Sequence, residues 1–167
     1  SKSYSANKDL GGGVLFDLVH EIDLACYLIG MPEGKIMSHV NKLSNLKINS
    51  EDLAEILFAT SIGSMVSLHL DYLSRHYHRY IEIIGENGNL YCDLFRNKVS
   101  IDYGIDKVDK KVYTKFSKND MYLDMLSSFI ESLKNKSASP ISIGDGLISN
   151  KIAIELRNKY YGKIREK

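Results

Sequence analysis

The stretch that most constrains how this chain can fold is residues 11–23, Gly-Gly-Gly-Val-Leu-Phe-Asp-Leu-Val-His-Glu-Ile-Asp. Three consecutive glycines give a backbone that can turn tightly and approach another group closely, because no Cβ restricts it. An apolar run follows, interrupted by Asp17, His20, Glu21 and Asp23, and it continues to Ile29 before Gly30 and Pro32. Glycine after a last helical turn and proline just beyond it are stop signals. The pattern predicts one mostly buried helix over 13–29 with its N-terminus at the glycines. At about 100° per residue, Asp17, His20 and Glu21 fall at i, i+3 and i+4 on one face. Asp23 lies one turn beyond His20, away from Asp17 and Glu21. An apolar helix that gathers ionisable groups on one side must offer them water, partners or a ligand.

The 167 residues, 44% hydrophobic, suit a single domain able to bury roughly 70% of its unfolded surface. Basic and acidic residues nearly cancel, 22 against 21, for a net charge of +1, which gives no support for a nucleic-acid partner. Cys26 and Cys92 stand in apolar runs and are expected to be reduced core residues of a cytoplasmic protein, since secreted scaffolds use more cysteine. No apolar run reaches the roughly 18 residues of a membrane span, and no basic-then-apolar leader is present. No membrane partner is expected.

Residues 1–10 are a polar lead-in. A strand is predicted at 34–43, a turn region at 45–49, and at 52–60 a strand apolar on both sides and therefore central or doubly covered. Gly63, between Ser61 and Ser64, marks a tight hairpin turn. Over 65–73 the alternation is clean: Val66, Leu68, Leu70 and Tyr72 point one way, Ser67, His69 and Asp71 the other. Further strands are predicted at 80–85, 89–95, 99–103 and 111–116, joined by short turn-rich linkers. Sequential strands on tight turns form an antiparallel meander rather than a βαβ array. Two helices close the chain. One, over 120–136, carries the stripe Met121, Met125, Phe129 and Leu133 with Leu126 beside it. The other, over 145–161, carries the seam Ile148, Ile152, Leu156 and Tyr160, with Asp145 as its N-cap. Both stripes are expected to be core, since helical spacing of apolar residues is how a helix covers a sheet. The predicted fold is α+β, one mostly antiparallel open sheet with three helices on a single face.

Gly12 and Gly13 could cradle a phosphate at the helix N-terminus or answer a close approach of other parts of the chain. A dinucleotide fingerprint needs a preceding strand, the G-x-G-x-x-G spacing and a βαβ frame, and the flanking residues supply none of these. His20-Glu21 invites comparison with H-E-x-x-H zinc helices, but Leu24 stands where the second histidine belongs. No metal is assigned, although Asp17, His20 and Glu21 together could hold a cation. A histidine and a carboxylate one turn apart suit acid/base work. A buried structural contact fits the same residues equally well. Residues 72–80, Tyr-Leu-Ser-Arg-His-Tyr-His-Arg-Tyr, offer groups that stack on and hydrogen-bond polyhydroxylated or anionic ligands, or they form a solvated connection. Lys107, Lys110, Lys111, Lys115 and Lys118, with Asp106 and Asp109 among them, suit a solvated sheet edge.

Residues 11–23 with the following Leu28-Ile29-Gly30 resemble the second-domain signature of the Gfo/Idh/MocA oxidoreductases, a family named for glucose–fructose oxidoreductase and inositol dehydrogenase. The similarity continues in Leu70-Asp71-Tyr72-Leu73-Ser74-Arg75, in residues 83–90 (Ile-Ile-Gly-Glu-Asn-Gly-Asn-Leu) and in Ile143-Gly144-Asp145-Gly146-Leu147. The resemblance implies a two-domain enzyme that moves hydride between NAD or NADP and a sugar, cyclitol or nucleotide-sugar hydroxyl. In that family an N-terminal Rossmann domain binds the cofactor and supplies a catalytic lysine. The second domain supplies a sheet for oligomer contacts and a histidine that relays a proton or binds substrate. His20 matches that histidine and Asp17 the acidic residue before it, although many members place the acid four residues ahead and here the gap is three.

On this basis Lys8, Tyr72 and Arg75 are expected substrate contacts, and Gly12 and Gly13 are the candidate cofactor contacts. The chain has no Rossmann fingerprint and no Glu-Lys-Pro motif. Residues 1–167 are therefore expected to be a single C-terminal substrate-binding and oligomerisation domain, a truncated fragment without the dinucleotide-binding domain. Such a fragment is expected to be inactive alone, to take no cofactor alone, and to form a homo-oligomer through its sheet. The rival expectation is a non-catalytic assembly or ligand-sensing module of the same fold.

Overall fold

A computed structural model describes residues 3–104, 107–112 and 117–165. The helix predicted over 13–29 is in two pieces. Val14–Asp17 forms a single turn, α1, and Val19–Ile29 forms α2, with Leu18 between them at φ −108° and ψ 23°, outside helical geometry. The break coincides with contacts from distant parts of the chain. The first turn is pinned from outside, by a hydrogen bond from the Val14 N–H to the Glu51 carbonyl (3.1 Å) and by a bond to the Asp17 side chain. The chain then restarts with a tight Glu21 N–H to Leu18 carbonyl bond of 3.0 Å. Gly30 closes α2 as the sequence predicts, its N–H on the Cys26 carbonyl.

The remaining elements are β1 (Pro32–Asn41), β2 (Leu53–Thr60), β3 (Met65–Asp71), β4 (Tyr80–Gly85), β5 (Gly88–Asp93), β6 (Lys98–Asp102), β7 (Val108–Val112), α3 (Lys118–Asn135) and α4 (Ile143–Arg165). All strand pairs are antiparallel, and they form two sheets, β1-β2-β3 and β4-β5-β6-β7. This is the predicted α+β meander, with the ladder divided between Asp71 and Tyr80. β7 begins earlier than the predicted 111, and residues 113–116 lie outside the described residues, as do Asp106 and Lys115 and the side chain of Lys118.

The chain gathers into two compact units, Ser1–Leu73 with Ile141–Lys167, and Ser74–Pro140. In the first, period-2 alternation works as expected. Ala54, Ile56, Phe58, Val66 and Leu70 are buried on one face, while Glu55, Ser67 and His69 are exposed on the other. Helices cover only the apolar face: Val14, Leu15, Ile22 and Cys26 from α1 and α2, with Ile152, Ala153 and Leu156 from α4, complete one core. The predicted α4 seam thus holds, but its cap differs. Ser142 precedes the helix, and the Asp145 carboxylate reaches back to accept from the Ser142 N–H and hydroxyl, both at 2.8 Å. Asp145 is the acid of the first turn rather than the N-cap.

In the second unit the four-stranded ladder pairs Ile83 with Leu90 and Cys92 with Val99. Helix α3 opens with a capping box, Ser117 donating its N–H to Asp120 at 2.6 Å. The α3 stripe corrects the sequence reading: Met121, Met125, Phe129 and Leu133 are half or more exposed (51–65%) instead of core. Spacing defines a stripe, but only a partner layer buries it.

Candidate functional site

The glycine turn is shaped by what lies against it. Gly11 and Gly12 donate their N–H groups to the carbonyls of Lys8 (3.2 Å) and Asn7 (2.8 Å), closing the turn on the preceding segment. A Cβ at Gly12 would collide with the carbonyl oxygens of Tyr4 and Ser5, and a Cβ at Gly13 with the carboxylate of Glu51. Gly13 also sits at φ +124°, where L side chains are strained. Of the two readings of the glycines, the geometry realises the close approach.

Two carboxylates flank the turn. Asp17 closes α1 with its N–H on the Gly13 carbonyl at 3.0 Å, and its Oδ2 accepts the Tyr72 hydroxyl at 2.6 Å. Its Oδ1 is buried and finds no donor among the described residues. Glu51 is fully buried; its Oε2 accepts the Tyr161 hydroxyl at 2.8 Å, and its Oε1 has no donor among the described residues. Burial, then the bond to Asp17 and its charge, then Glu51, hold the Tyr72 phenol far above the ordinary tyrosine range. Burial and Glu51 do the same to Tyr161, against the opposing charge of Arg157. Both phenols therefore keep their protons at neutral pH and donate them to the carboxylates.

Helix α4 brings the cations. The Arg157 guanidinium lies 4.6 Å from the Phe16 ring centre and 5.4 Å from that of Tyr161, and donates to the carbonyls of Lys8 and Gly12. Lys8 is anchored by its N–H on Asn49 Oδ1 (2.7 Å), and its ammonium lies 5.5 Å from the Tyr161 ring.

Of the predicted site residues, Lys8, Gly12, Gly13, Asp17 and Tyr72 all belong to this neighbourhood. His20 stands on the next helix, 54% exposed, with Nε2 3.2 Å from Glu21 Oε1. Because the helix breaks at Leu18, the observed pairs are Asp17–Tyr72 and His20–Glu21, and no His20–Asp17 bond is formed. Arg75 is exposed and belongs to the second unit. Sequence reasoning missed Glu51, Arg157 and Tyr161. The available signals were two adjacent acids, Glu51 and Asp52, directly before an apolar strand, and an Arg–Tyr pair one turn apart on the last helix. Among the described residues no group of three His, Cys, Asp or Glu could hold a metal ion, and no helix is long and apolar enough to cross a membrane.

A buried carboxylate oxygen without a donor is destabilising by about 1–3 kcal/mol, and a hydroxyl brought to it removes that penalty. Asp17 Oδ1 is such an oxygen, its partner Oδ2 locked by Tyr72. A pyrophosphate does not fit the glycine turn. The Val14 and Gly12 N–H groups are already bonded to the carbonyls of Glu51 and Asn7, and the Glu51 carboxylate lies against Gly13. The Gly12 N–H is thus taken by the chain itself, and a carboxylate faces Gly13.

The family model of the GFO/IDH/MocA C-terminal domain matches residues 1–91. The chain belongs to that family. No curated protein sequence matches it. Solved structures sharing the GFO/IDH/MocA C-terminal fold include levoglucosan dehydrogenase in complex with NADH and levoglucosan (TM-score 0.79, 17% identity, 95% of this chain and 52% of that one). UDP-N-acetylglucosamine 3-dehydrogenase from Acidithiobacillus ferrooxidans has TM-score 0.73 and 15% identity over 86% of this chain and 46% of that one. The WlbA dehydrogenase from Bordetella pertussis, in complex with NADH and UDP-GlcNAcA, has TM-score 0.59 and 19% identity over 83% and 40%. The chain thus spans about half the length of these structures.

Proposed function

We propose that residues 1–167 are the C-terminal substrate-binding and oligomerisation domain of a cytoplasmic NAD(P)-dependent oxidoreductase. Its substrate is a sugar, cyclitol or nucleotide-sugar hydroxyl, and the dinucleotide-binding domain lies outside this sequence. The observation that carries the reading is the buried Asp17 oxygen without a donor beside a glycine turn, its partner oxygen locked by Tyr72. Membership of the family and structural neighbours named as dehydrogenases of levoglucosan and of a UDP-amino sugar support the substrate class. In this reading Asp17 accepts a substrate hydroxyl, and Tyr72, proton retained, fixes the carboxylate's rotation. His20, exposed and paired to Glu21, relays the proton released as the hydroxyl becomes a carbonyl. Lys8, in the same neighbourhood as Asp17, is a further substrate contact. The nicotinamide, held by the other domain, supplies the hydride chemistry.

The outward face of β1-β2-β3 is the proposed contact between copies. It carries the register row His39–Glu55–His69 with exposed Met37 and Met65.

Two measurements test the reading. Calorimetric titration of this chain with NADH and NADPH is expected to give no saturable binding; saturation would place a nucleotide site in the chain and overturn the division of labour. In the enzyme that joins this domain to its nucleotide-binding half, His20→Ala is expected to lower kcat by about 10²-fold or more with folding unchanged. Unchanged turnover would favour a non-catalytic assembly or sensing module.

A further inference from the structure

The mechanism above leaves Glu51 unused. Its side chain has no exposed surface, and among the described residues it receives one hydrogen bond and one of its oxygens has no donor. A polar group kept this deep with so few partners works against stability, so its surroundings bear on what it does. Its main-chain carbonyl takes the first N–H of α1, from Val14 at 3.1 Å. Its carboxylate occupies the space a Cβ at Gly13 would need. The Gly13 carbonyl in turn receives the Asp17 N–H at 3.0 Å, so the position of the turn passes directly to Asp17. Arg157 donates to Lys8 and Gly12 and lies over the Phe16 ring, one helical turn from Tyr161, which binds Glu51. The glycine turn is gripped from two parts of the chain more than a hundred residues apart.

We propose that Glu51, held by Tyr161 of α4, is the positioning residue of this site: it sets the glycine turn against α4 and so fixes the Asp17 carboxylate and its Tyr72 partner in the orientation that receives a substrate hydroxyl. The inference rests on the role proposed for Asp17. An apolar side chain of similar volume would fill the space against Gly13 but accept nothing from Tyr161. A glutamine would accept from Tyr161 but turn N–H donors toward a glycine Cα that has no acceptor to offer. The carboxylate both accepts from the Tyr161 hydroxyl and fills the space against Gly13.

The test uses this 167-residue chain with 13C-labelled tyrosine rings. The Tyr72 ring carbon bearing the hydroxyl is assigned by its loss in Tyr72→Phe, and Asp17→Asn shows where it moves when the Asp17 bond is weakened. Glu51→Gln and Tyr161→Phe are expected to shift the Tyr72 resonance in the same direction as Asp17→Asn, with the amide spectrum of β2 and β3 unchanged. A Tyr72 resonance unmoved in both folded variants would overturn the proposal. If Glu51→Gln fails to fold, Tyr161→Phe, which removes a single hydroxyl, decides alone. The readout needs no substrate. Failure of carbohydrate-type ligands to bind the intact enzyme would count against the role of Asp17 and leave the Tyr72 result standing. An unmoved Tyr72 would count against Glu51 and leave the substrate reading standing.

Discussion

The sheets β1-β2-β3 and β4-β5-β6-β7 are both antiparallel ladders of alternating residues, yet only the first has an interior. Ala54, Ile56, Phe58, Val66 and Leu70 are at most 7% exposed. Among the described residues of the second unit none is buried, and Tyr80 and Ile84 on β4 are 68% and 76% exposed. Alternation decides which residues share a face, and a covering layer decides whether that face becomes core. The first sheet has α1, α2 and α4 packed on it; the apolar stripe of α3 covers none of the described residues of the second to the point of burial.

The comparison is broken most directly by truncation on each sheet. Phe58→Ala is expected to cost about 3–5 kcal/mol of unfolding free energy, and Ile84→Ala to stay within about 0.5 kcal/mol, both read from denaturant midpoints. Similar losses at both positions would mean that the second sheet has a packed face after all. A second contrast separates two positive-φ glycines of the first unit. Gly34 (φ +74°) has open space where a Cβ would go, whereas Gly13 (φ +124°) has the Glu51 carboxylate there. Gly34→Ala should cost about 1–2 kcal/mol from backbone strain alone, and Gly13→Ala about 3 kcal/mol or more as the collision adds to the strain. Equal costs would remove Glu51 from the turn.

These contrasts also mark how far the sequence could be read. The alternation of residues 65–71, the stop at Gly30 and the α4 seam are local patterns, and local patterns were legible. Glu51 was not, because nothing in the order of residues tells that position 51 will lie under Gly13 and beside Tyr161, 110 positions away. Asp17 was legible only as one of several ionisable groups on an apolar helix. Spacing put His20 one turn on from it, and the group that meets it is the Tyr72 hydroxyl, just after β3.

Asp52 sharpens the comparison through pH. Burial pushes its carboxyl up, but hydrogen bonds from the Ser44 hydroxyl, the Leu43 and Ser44 amides and Lys42 hold it below the ordinary 3.8. A carboxyl held lower when folded than unfolded contributes stability above its unfolded value and loses it as pH falls through the folded one. Stability should therefore fall with acid below pH 3.8, and Asp52→Asn should flatten that limb while losing about 1–3 kcal/mol at neutral pH. Unfolding across a pH series checks both. The smallest expected effect lies on the solvent face. His69 is raised above 6.5 by its bond to Glu55, against burial, with help from Asp71 at 3.0 Å. Its contribution is present below pH 6.5 and lost as pH rises through the folded value. His69→Gln should abolish that slope and little else, since the pair is half exposed; a slope that survives the substitution assigns it elsewhere.

By itself the sequence determined the elements, the antiparallel order of the strands and the family, because turn chemistry, hydrophobic period and a thirteen-residue motif are all short-range properties of the chain. Tertiary structure decided which stripes become core, where the first helix breaks and which group each buried carboxylate meets. Those outcomes depend on contacts between residues far apart in sequence, and a buried charge is settled by the donors that packing brings to it.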